Sequence, residues 1–360
     1  METRLVVVDP EHPEAQAVAA AAAVIRRGGL VAFPTETVYG LGANALDPAA
    51  VQRIFRAKGR PSDNPLIVHL ADPRDVALVA APGPYMERLA RRFWPGPLTM
   101  VLPRTRAVPD ATTAGLDTVA VRVPDHPVAI ALIRASGCPI AAPSANRSGR
   151  PSPTRAAHVW ADLRGRIDMI LDGGDAGIGL ESTVVDLTAS PPVLLRPGGV
   201  TVAELEEVIG PVRVHPAVVG PPGEGPVASP GMKYRHYAPS TPCVLVEGPQ
   251  DAVAAHIAAR VRAERDAGRR VGVLASLEAA PLYDADAVVV AGSRANTAEI
   301  ARSLFHGLRQ LDEAGLDVLF LEGVEPAGLG LAVMNRLRRA AGYRIERAGP
   351  MGSQEGDGSA

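Results

Sequence analysis

The fold is first indicated by residues 30–42, which read LVAFPTETVYGLG. The apolar run Leu30–Phe33 predicts a buried strand, which the following proline ends. An Ala-rich helix is predicted before it, over Glu14–Arg27, because a glycine pair then stops the pattern. Another helix is predicted after it, over Pro48–Ala57. Strand and helix therefore alternate on both sides of this stretch, as in an α/β sheet domain.

The alternation continues to about residue 210. Further strands are predicted over Leu5–Val8, Leu66–Leu70, Thr99–Leu102, Thr118–Val123, Met169–Leu171, Ser182–Asp186 and Val193–Arg196. Further helices are predicted over Tyr85–Phe93, Pro127–Ser136, Arg155–Leu163 and Val202–Ile209. Closely spaced strands among helices predict a mixed α/β or α+β sheet domain over 1–210.

The composition changes after residue 210, and a second pattern begins near residue 243. A Pro/Gly-rich stretch with little periodicity predicts a stiff linker over 211–242. Strands then follow at Cys243–Glu247, Val271–Ala275, Ala287–Ala291 and Val318–Glu322, with helices at Gln250–Ala267, Thr297–Ala314 and Gly330–Ala341. This pattern predicts a smaller Rossmann-like α/β domain over 243–348, although no G-x-G-x-x-G fingerprint opens its first helix. The Gly/Ser-rich tail, 349–360, is predicted to be disordered.

Length and charge limit the classes of function. A chain of 360 residues with 47% apolar residues is long enough for two cores. Its net charge of −2 argues against a surface that binds nucleic acid as a whole. Cys138 and Cys243 stand in no metal-binding spacing and fit a reduced cytosol. The apolar run 17–25 is too short to span a bilayer, so we expect a cytoplasmic protein with no membrane partner.

Lysine is nearly absent from this chain. Of its 37 cationic residues only Lys58 and Lys233 are lysines, so we expect each to stand where a compact ammonium is needed. Lys58 opens a proline-flanked loop that also carries Arg60 and Asn64. A point charge, a guanidinium fork and an amide together favour a phosphate ligand. The alternative is a solvated basic helix end.

Two further polar side chains lie inside predicted strands. A lone histidine such as His69 is more often a satisfied core residue than a ligand, and the residues alone favour that interpretation. Arg122 stands among valines and needs an anion, which is either an internal carboxylate or a substrate carboxylate.

Hydroxyl and amide groups follow other strands, at Ser144, Asn146 and Thr154, and again at Ser182 with Arg196 downstream. The sequence contains no evident Ser/His/Asp triad, P-loop, H-E-x-x-H or C-x-x-C motif. This inventory indicates a site that positions a nucleotide and a co-substrate and offsets their charge, without a covalent enzyme intermediate.

Five of these motifs occur in order across residues 33–198: PTETVYGLG, KGRP with NPL, SAN with SPT, ESTVVD, and RPG. Together they resemble the YrdC/Sua5 family, the L-threonylcarbamoyladenylate synthases. The linker segment 229–239 and the closing GLGLAVMNR run at 328–336 resemble the longer Sua5 branch with its C-terminal domain. The resemblance implies a twisted mixed-sheet domain with a deep, positively charged central cleft.

The resemblance also implies an activity. Such a nucleotidyltransferase joins L-threonine, bicarbonate or CO2, and ATP into threonylcarbamoyl-AMP and releases pyrophosphate. Mg²⁺ accompanies the ATP. The product feeds N6-threonylcarbamoylation of adenosine 37 (t6A37) in tRNAs that read ANN codons, so downstream tRNA threonylcarbamoyl-transfer proteins are expected partners. Direct contact with tRNA is expected to be weak at most.

Site residues are carried over by position. The threonine set is Thr37, His69, Arg122, Ser144 and Ser182, which overturns the core interpretation of His69. The ATP set is Lys58, Arg60, Asn64, Thr118, Asn146, Thr154, Arg196 and Tyr237, with Lys58 and Arg60 as catalytic residues. The linker is expected to close over the site and to bring Lys233 near. The Mg²⁺ ligands stay open, with Asp172, Asp175 and Glu181 as acidic neighbours.

Two alternatives accompany this assignment. A non-catalytic RNA-binding module of the same fold is disfavoured by the overall acidity and by the lack of interleaved aromatic and basic residues outside the linker. The carbamoyl-transfer relative of hydrogenase maturation is disfavoured because it needs zinc-finger cysteines and a longer chain.

Overall fold

The computed structural model describes residues 2–221 and 237–349. The chain divides into two compact units, one up to residue 236 and one from residue 237. Each unit has its own sheet. The segment 222–236, which holds Lys233 and the middle of the predicted linker, lies outside the described residues.

The first unit contains a strongly mixed sheet with helices packed against it. Its strands are β1 (Arg4–Val7), β2 (Val31–Phe33), β3 (Gly40–Asn44), β4 (Ile67–His69), β5 (Leu98–Pro103), β6 (Thr118–Arg122), β7 (Ile140–Ala141), β8 (Met169–Asp172), β9 (Thr183–Asp186), β10 (Val193–Arg196) and β11 (Arg213–Val214). Its helices are α1 (Ala15–Arg26), α2 (Pro48–Lys58), α3 (Pro84–Phe93), α4 (Asp110–Thr113), α5 (Pro127–Ser136), α6 (Ala156–Leu163) and α7 (Val202–Ile209), and two 3₁₀ turns cover Pro73–Leu78 and Pro216–Val218.

The strand order in this unit is β1-β8-β2-β3-β7-β4-β6-β5-β9-β10-β11 among the described residues. The sheet contains parallel pairs, such as β4 with β6, and antiparallel pairs, such as β5 with β6. The predicted mixed α/β sheet is therefore confirmed. The helices α1 and α5 cover one face, where Ile25, Leu132 and Phe33 share a buried cluster.

Strand β3 is absent from the strands predicted from the sequence. Gly40 and Gly42 lie within β3, which packs very close to its neighbouring strands. A Cβ atom on Gly42 would lie 2.8 Å from atoms of both Ile140 and Phe33. Glycine here permits close strand packing, and the strand carries the chain from β2 back across the sheet.

The start of the predicted linker also differs. Residues 213–218 belong to the first unit, because β11 pairs in parallel with β10 and Ala217 and Val218 of the following 3₁₀ turn are buried. Two residues of strand give little periodic signal, so composition alone assigned them to the linker.

The second unit is a parallel α/β sheet. It consists of β12 (Cys243–Glu247), α8 (Gln250–Asp266), β13 (Val271–Ser276), a 3₁₀ turn (Ala280–Leu282), β14 (Ala287–Gly292), α9 (Thr297–Glu313), β15 (Val318–Glu322), α10 (Leu329–Ala340) and β16 (Ile345–Arg347). Within residues 237–349 the strand order is β14-β13-β15-β12-β16, with every pair parallel. This confirms the predicted second α/β domain and adds β16. Its buried cluster includes Val253, Ile257 and Phe320.

Across the described part of the chain, every helix is too short or too polar to cross a bilayer.

Candidate active site

Three of the predicted site residues, His69, Thr118 and Arg122, come from two strands that are neighbours in the first sheet. β4 and β6 place His69 opposite Arg122 in the parallel register. Residues four apart on a strand point to the same face and lie about 13 Å apart, so Thr118 and Arg122 occupy the two ends of one face of β6. One strand thus carries a predicted ATP ligand at one end and a predicted threonine ligand at the other.

Lys58 joins the end of α2 to the loop after β7. Asp47 caps the start of α2 through the N–H groups of Ala49 and Ala50, and Gly59 ends it in the left-handed conformation at φ 64°. Lys58 therefore lies in the last helical turn, where it is only 3% exposed. Its ammonium donates to the carbonyl oxygens of Ser144 (2.5 Å) and Asn146 (2.6 Å) and to Asn146 Oδ1 (3.3 Å).

The Ser-x-Asn loop is itself fixed by hydrogen bonds. Ser144 Oγ donates to Asn146 Oδ1 at 2.6 Å, and Asn146 Nδ2 donates to the carbonyls of Arg147 and Arg150. The amide of Ser148 donates to the carbonyl of Lys58. The structure therefore brings together Lys58 and Asn146, predicted for ATP, and Ser144, predicted for threonine.

Arg60 and Asn64 lie in the loop that follows α2. Arg60 Nη2 donates to the carbonyls of Asn64 and Pro65, each at 3.3 Å. Asn64 is fully buried, and neither Oδ1 nor Nδ2 of its side chain has a hydrogen-bond partner among the described residues. A buried amide without partners costs about 1–3 kcal/mol, and this side chain has hydrogen-bonding capacity left over for a ligand.

Arg122 lies at the centre of a second cluster, 3% exposed. Its Nε donates to the carbonyl of Gly96 at 3.2 Å, its Nη1 donates to Thr37 Oγ1 at 2.9 Å, and its Nη2 lies 2.6 Å from Glu36 Oε1. Thr37 is fixed in turn by Thr35, 2.8 Å away, whose hydroxyl donates to the carbonyl of Val38. The sequence left two anions open for Arg122, an internal carboxylate and a substrate carboxylate. The structure supplies the internal one, Glu36, and places it beside the predicted threonine ligand Thr37.

The sequence analysis missed Glu36 as the partner of Arg122. Glu36 stands in the quoted motif, but its partner lies 86 positions away on another strand, and no local pattern reveals such a pair. The signal that was available is the buried position of Arg122 itself, since an arginine among valines requires an anion.

His69 is 4% exposed and neutral in this environment. Burial, and then the positive charge of Arg122, lowers the pKa of His69 to about 3. Its Nδ1 lies 3.2 Å from the carbonyl of Ile67, and its ring meets Phe33 edge-on. A neutral imidazole with so low a pKa acts as a hydrogen-bonding group and is a weak base at neutral pH.

A third cluster joins Ser182 to Arg196. Arg196 Nε donates to the carbonyl of Ser182 at 3.0 Å, and its Nη2 donates to Ser182 Oγ at 3.1 Å. Ser182 Oγ also lies 2.8 Å from Thr99 Oγ1 on β5, the strand next to β6. The structure therefore places a predicted threonine ligand and a predicted ATP ligand in direct contact. Thr99 was not predicted as a site residue. The available signal in the sequence was a hydroxyl group within an otherwise apolar predicted strand.

The remaining predicted ATP residues are Thr118, Thr154 and Tyr237. Thr118 is half-buried at the start of β6, and the amide of Thr154, also buried, donates to His158 Nδ1 at 3.2 Å. Tyr237 belongs to the second unit, where its ring lies 5.2 Å from that of Phe305 and 5.4 Å from the Arg336 guanidinium. Its contact with a nucleotide stays a prediction.

Each of the acidic residues considered for Mg²⁺ already accepts a hydrogen bond or forms an ion pair within the protein. Asp172 Oδ1 accepts from the amide of Gly174, Asp175 pairs with Arg155 at 2.9 Å, and Glu181 accepts from the Ser152 hydroxyl. Within residues 2–221 and 237–349, no three His, Cys, Asp or Glu side chains are grouped as a metal site. The described residues therefore offer no ready-made all-protein cage for the ion.

This mixed sheet, with buried cations and hydroxyls gathered on neighbouring strands and a parallel α/β unit after it, defines a two-domain YrdC-like protein. A family model described as "Telomere recombination", that of the Sua5, YciO and YrdC proteins, matches residues 23–198. A second model, described as "Threonylcarbamoyl-AMP synthase, C-terminal domain", matches residues 200–342. The chain belongs to the YrdC/Sua5 family, in its longer, two-domain branch.

Curated relatives match over nearly the whole chain. The threonylcarbamoyl-AMP synthase of Pyrococcus abyssi is 58% identical over 326 residues, covering 90% of this chain and 94% of that protein. The enzyme of the same name from Bacillus subtilis is 52% identical over 332 residues, covering 92% and 94%. Among solved structures, P. abyssi Sua5 in complex with L-threonine has a TM-score of 0.91 at 55% identity, covering 96% of this chain and 99% of that one.

Proposed function

We propose that this chain is a threonylcarbamoyl-AMP synthase, a nucleotidyltransferase that uses L-threonine, bicarbonate or CO2, and ATP. The observation that carries the proposal is the similarity, at 55% identity and a TM-score of 0.91, to a Sua5 protein crystallised with L-threonine. The clusters around Lys58 and Arg122 supply the chemistry that such a reaction needs.

The threonine subsite is proposed to consist of Thr37, His69, Arg122, Ser144 and Ser182. Arg122 has five N–H donors, of which the contacts with Gly96, Thr37 and Glu36 use three. Its remaining donors suit the carboxylate of an amino acid. His69, held neutral, and the nearby hydroxyls suit the uncharged polar groups of threonine without adding a competing charge.

The nucleotide subsite is proposed to consist of Lys58, Arg60, Asn64, Thr118, Asn146, Thr154, Arg196 and Tyr237. Threonine, once carboxylated on nitrogen, attacks the α-phosphate of ATP, and pyrophosphate leaves. Both reactants are anions, and they repel strongly in a poorly screened pocket. Lys58 and Arg60 are proposed to offset that charge as it concentrates at the α-phosphate.

Mg²⁺ is proposed to enter with ATP. Mg²⁺ commonly keeps several waters and binds substrate phosphates with one or two protein carboxylates, which agrees with the absence of a three-ligand group among the described residues. The ion supplies charge neutralisation on the phosphates.

The proposed product is a reactive mixed anhydride, and its consumer is the set of proteins that transfer threonylcarbamoyl to adenosine 37 of tRNA. We place this reaction in the cytoplasm, where those tRNAs and ATP occur. Contact between this chain and tRNA is proposed to be weak at most, given the net charge of −2.

Pyrophosphate release tests the proposal. The purified chain with Mg²⁺-ATP should release pyrophosphate only when threonine and bicarbonate are both present, and serine should be a poorer substrate. Release that is independent of threonine would contradict the proposed activity. RNA binding without any pyrophosphate release would instead favour the non-catalytic alternative.

A further inference from the structure

Glu36 is a buried carboxylate that the proposed substrate roles leave unused. Its side chain is 13% exposed, and both carboxylate oxygens are inaccessible to solvent. Oε1 lies 2.6 Å from Arg122 Nη2, while Oε2 accepts no hydrogen bond from the described residues. A buried carboxylate oxygen without a donor is costly, so the structure keeps a strong acceptor ready beside the threonine subsite.

We propose that Glu36 binds the α-ammonium group of threonine and takes its proton before the nitrogen is carboxylated. This inference rests on the proposed function. None of the site residues carried over from the sequence has this role as a base for the threonine ammonium group.

Charge complementarity supports the contact. A free amino acid carries its ammonium and its carboxylate on the same carbon atom, so its two charges lie close together. Arg122 and Glu36 present the opposite pair of charges, 2.6 Å apart and both buried. A zwitterion can therefore lie alongside this ion pair, with its carboxylate against Arg122 and its ammonium against Glu36.

The neighbouring groups are poor alternatives as the base. His69 has its pKa lowered to about 3 by burial and by Arg122, and Lys58 is a donor in each of its contacts with Ser144 and Asn146. The charge of Glu36 also acts on Asp125 and His126, which lie in the loop after β6. Desolvation, and then the charge of Glu36, raises the pKa of Asp125, but this residue is exposed to solvent and is not part of the buried pair of Arg122 and Glu36.

The proposed proton transfers balance as follows. An N–H bond of the ammonium breaks, its electron pair stays on nitrogen, and an O–H bond forms on Glu36. The amine then forms a C–N bond to CO2, which gives an N-protonated carbamate. The first proton has by then passed from Glu36 to bicarbonate, whose C–OH bond breaks to give that CO2 and a water molecule, so the carboxylate of Glu36 can take the second proton from nitrogen. The carbamate anion that remains is the nucleophile towards ATP.

The inference is tested with Glu36→Gln, which keeps the shape and removes the basic oxygen. Formation of threonylcarbamoyl-AMP at pH 7 should fall by about 100-fold or more, the usual contribution of a positioned base. The residual rate should rise about tenfold per pH unit above pH 7, since free amine then comes from solution. Glu207→Gln is the matched control, because Glu207 is exposed on α7; it should keep the rate and the pH profile of the parent chain.

A binding measurement separates the proposed contact from a purely structural role. By calorimetry, the parent chain should prefer threonine over 2,3-dihydroxybutanoate, in which a hydroxyl replaces the amine. Glu36→Gln should lose about tenfold of that preference, and Glu36→Asp should keep part of it. An unchanged preference, or a lowered rate with the pH profile of the parent chain, would overturn the inference. Failure of the parent chain to make threonylcarbamoyl-AMP would overturn the proposed function instead, while the calorimetric test of Glu36 would still stand.

Discussion

Lys58 and Arg122 are both 3% exposed cations of the first unit, but the structure surrounds them with different groups. Lys58 donates to three uncharged oxygens of Ser144 and Asn146, which orient its ammonium group. Arg122 has a carboxylate 2.6 Å away, so the pair with Glu36 is neutral overall. The first arrangement suits a polyanion such as ATP, and the second suits a zwitterion such as threonine.

Breaking the neutral pair should have the largest effect. In Arg122→Gln the buried Glu36 loses its cation, and breaking a buried pair in this way costs about 3–5 kcal/mol. Both tryptophans, Trp94 and Trp160, belong to the first unit, so tryptophan fluorescence during urea denaturation reports that unit.

A double variant sharpens this test. Arg122→Gln with Glu36→Gln should be more stable than Arg122→Gln alone, because no buried charge is then left unpaired. Both variants should lose threonine binding. A stability equal to that of the parent chain in the single variant would show that the pair does not carry this energy.

Removing the charge of Lys58 should lower turnover more than it lowers the affinity for threonine. Lys58→Met keeps most of the buried aliphatic length, and we expect turnover to fall about 10²–10³-fold, as when one transition-state donor is lost. The threonine affinity should stay within about threefold. Arg56→Met is the matched control, because Arg56 is an exposed cation in the same last turn of α2. Equal losses of turnover and threonine binding in Lys58→Met would contradict the division between the two clusters.

The neutral state of His69 should be visible as a pH dependence of stability. A folded pKa of about 3 against the ordinary 6.5 means that the unfolded chain takes up the proton first as the pH falls. Stability from this group is therefore complete above pH 6.5 and is lost towards pH 3. Between pH 7 and 5 the loss should be about 2 kcal/mol. His69→Gln should remove this part of the slope, and an unchanged slope would mean that His69 is not buried in its neutral form.

The smallest loss of folding stability is expected at Asn64. Since its side-chain oxygen and nitrogen lack partners among the described residues, Asn64→Leu should cause no loss of stability and should raise the free energy of unfolding by up to about 1–3 kcal/mol, the cost of the unpaired amide. The ATP affinity should nevertheless fall about tenfold, which isothermal titration can measure. A large loss of stability without a change in ATP affinity would show that Asn64 is a structural residue.

The elements with strong local signals could be predicted from the sequence. Val202–Ile209 is a helix with the predicted bounds, because Thr201 and Glu204 form a capping box. Val193–Arg196 is likewise a strand with the predicted bounds. Their patterns are short-range, so no knowledge of the rest of the fold was required.

The features that escaped prediction depend on contacts across the sheet. Strand β3 is stabilised by its neighbours despite its glycines, and β11 is only two residues long. The pairing of Glu36 with Arg122 and that of Ser182 with Arg196 depend on which strands become neighbours. Candidate residues were therefore available from the motifs, whereas the neutral pair and the contact between the two predicted substrate sets required the structure.

Mass spectrometry of the reaction tests the central claim most directly. The full chain would be mixed with Mg²⁺-ATP, L-threonine and ¹³C-bicarbonate, and the mixture analysed within minutes. We expect a threonylcarbamoyl-AMP ion that carries one ¹³C atom and disappears when threonine is left out. Complete consumption of ATP to AMP or ADP with no such ion, under conditions that preserve an authentic standard, would contradict the account.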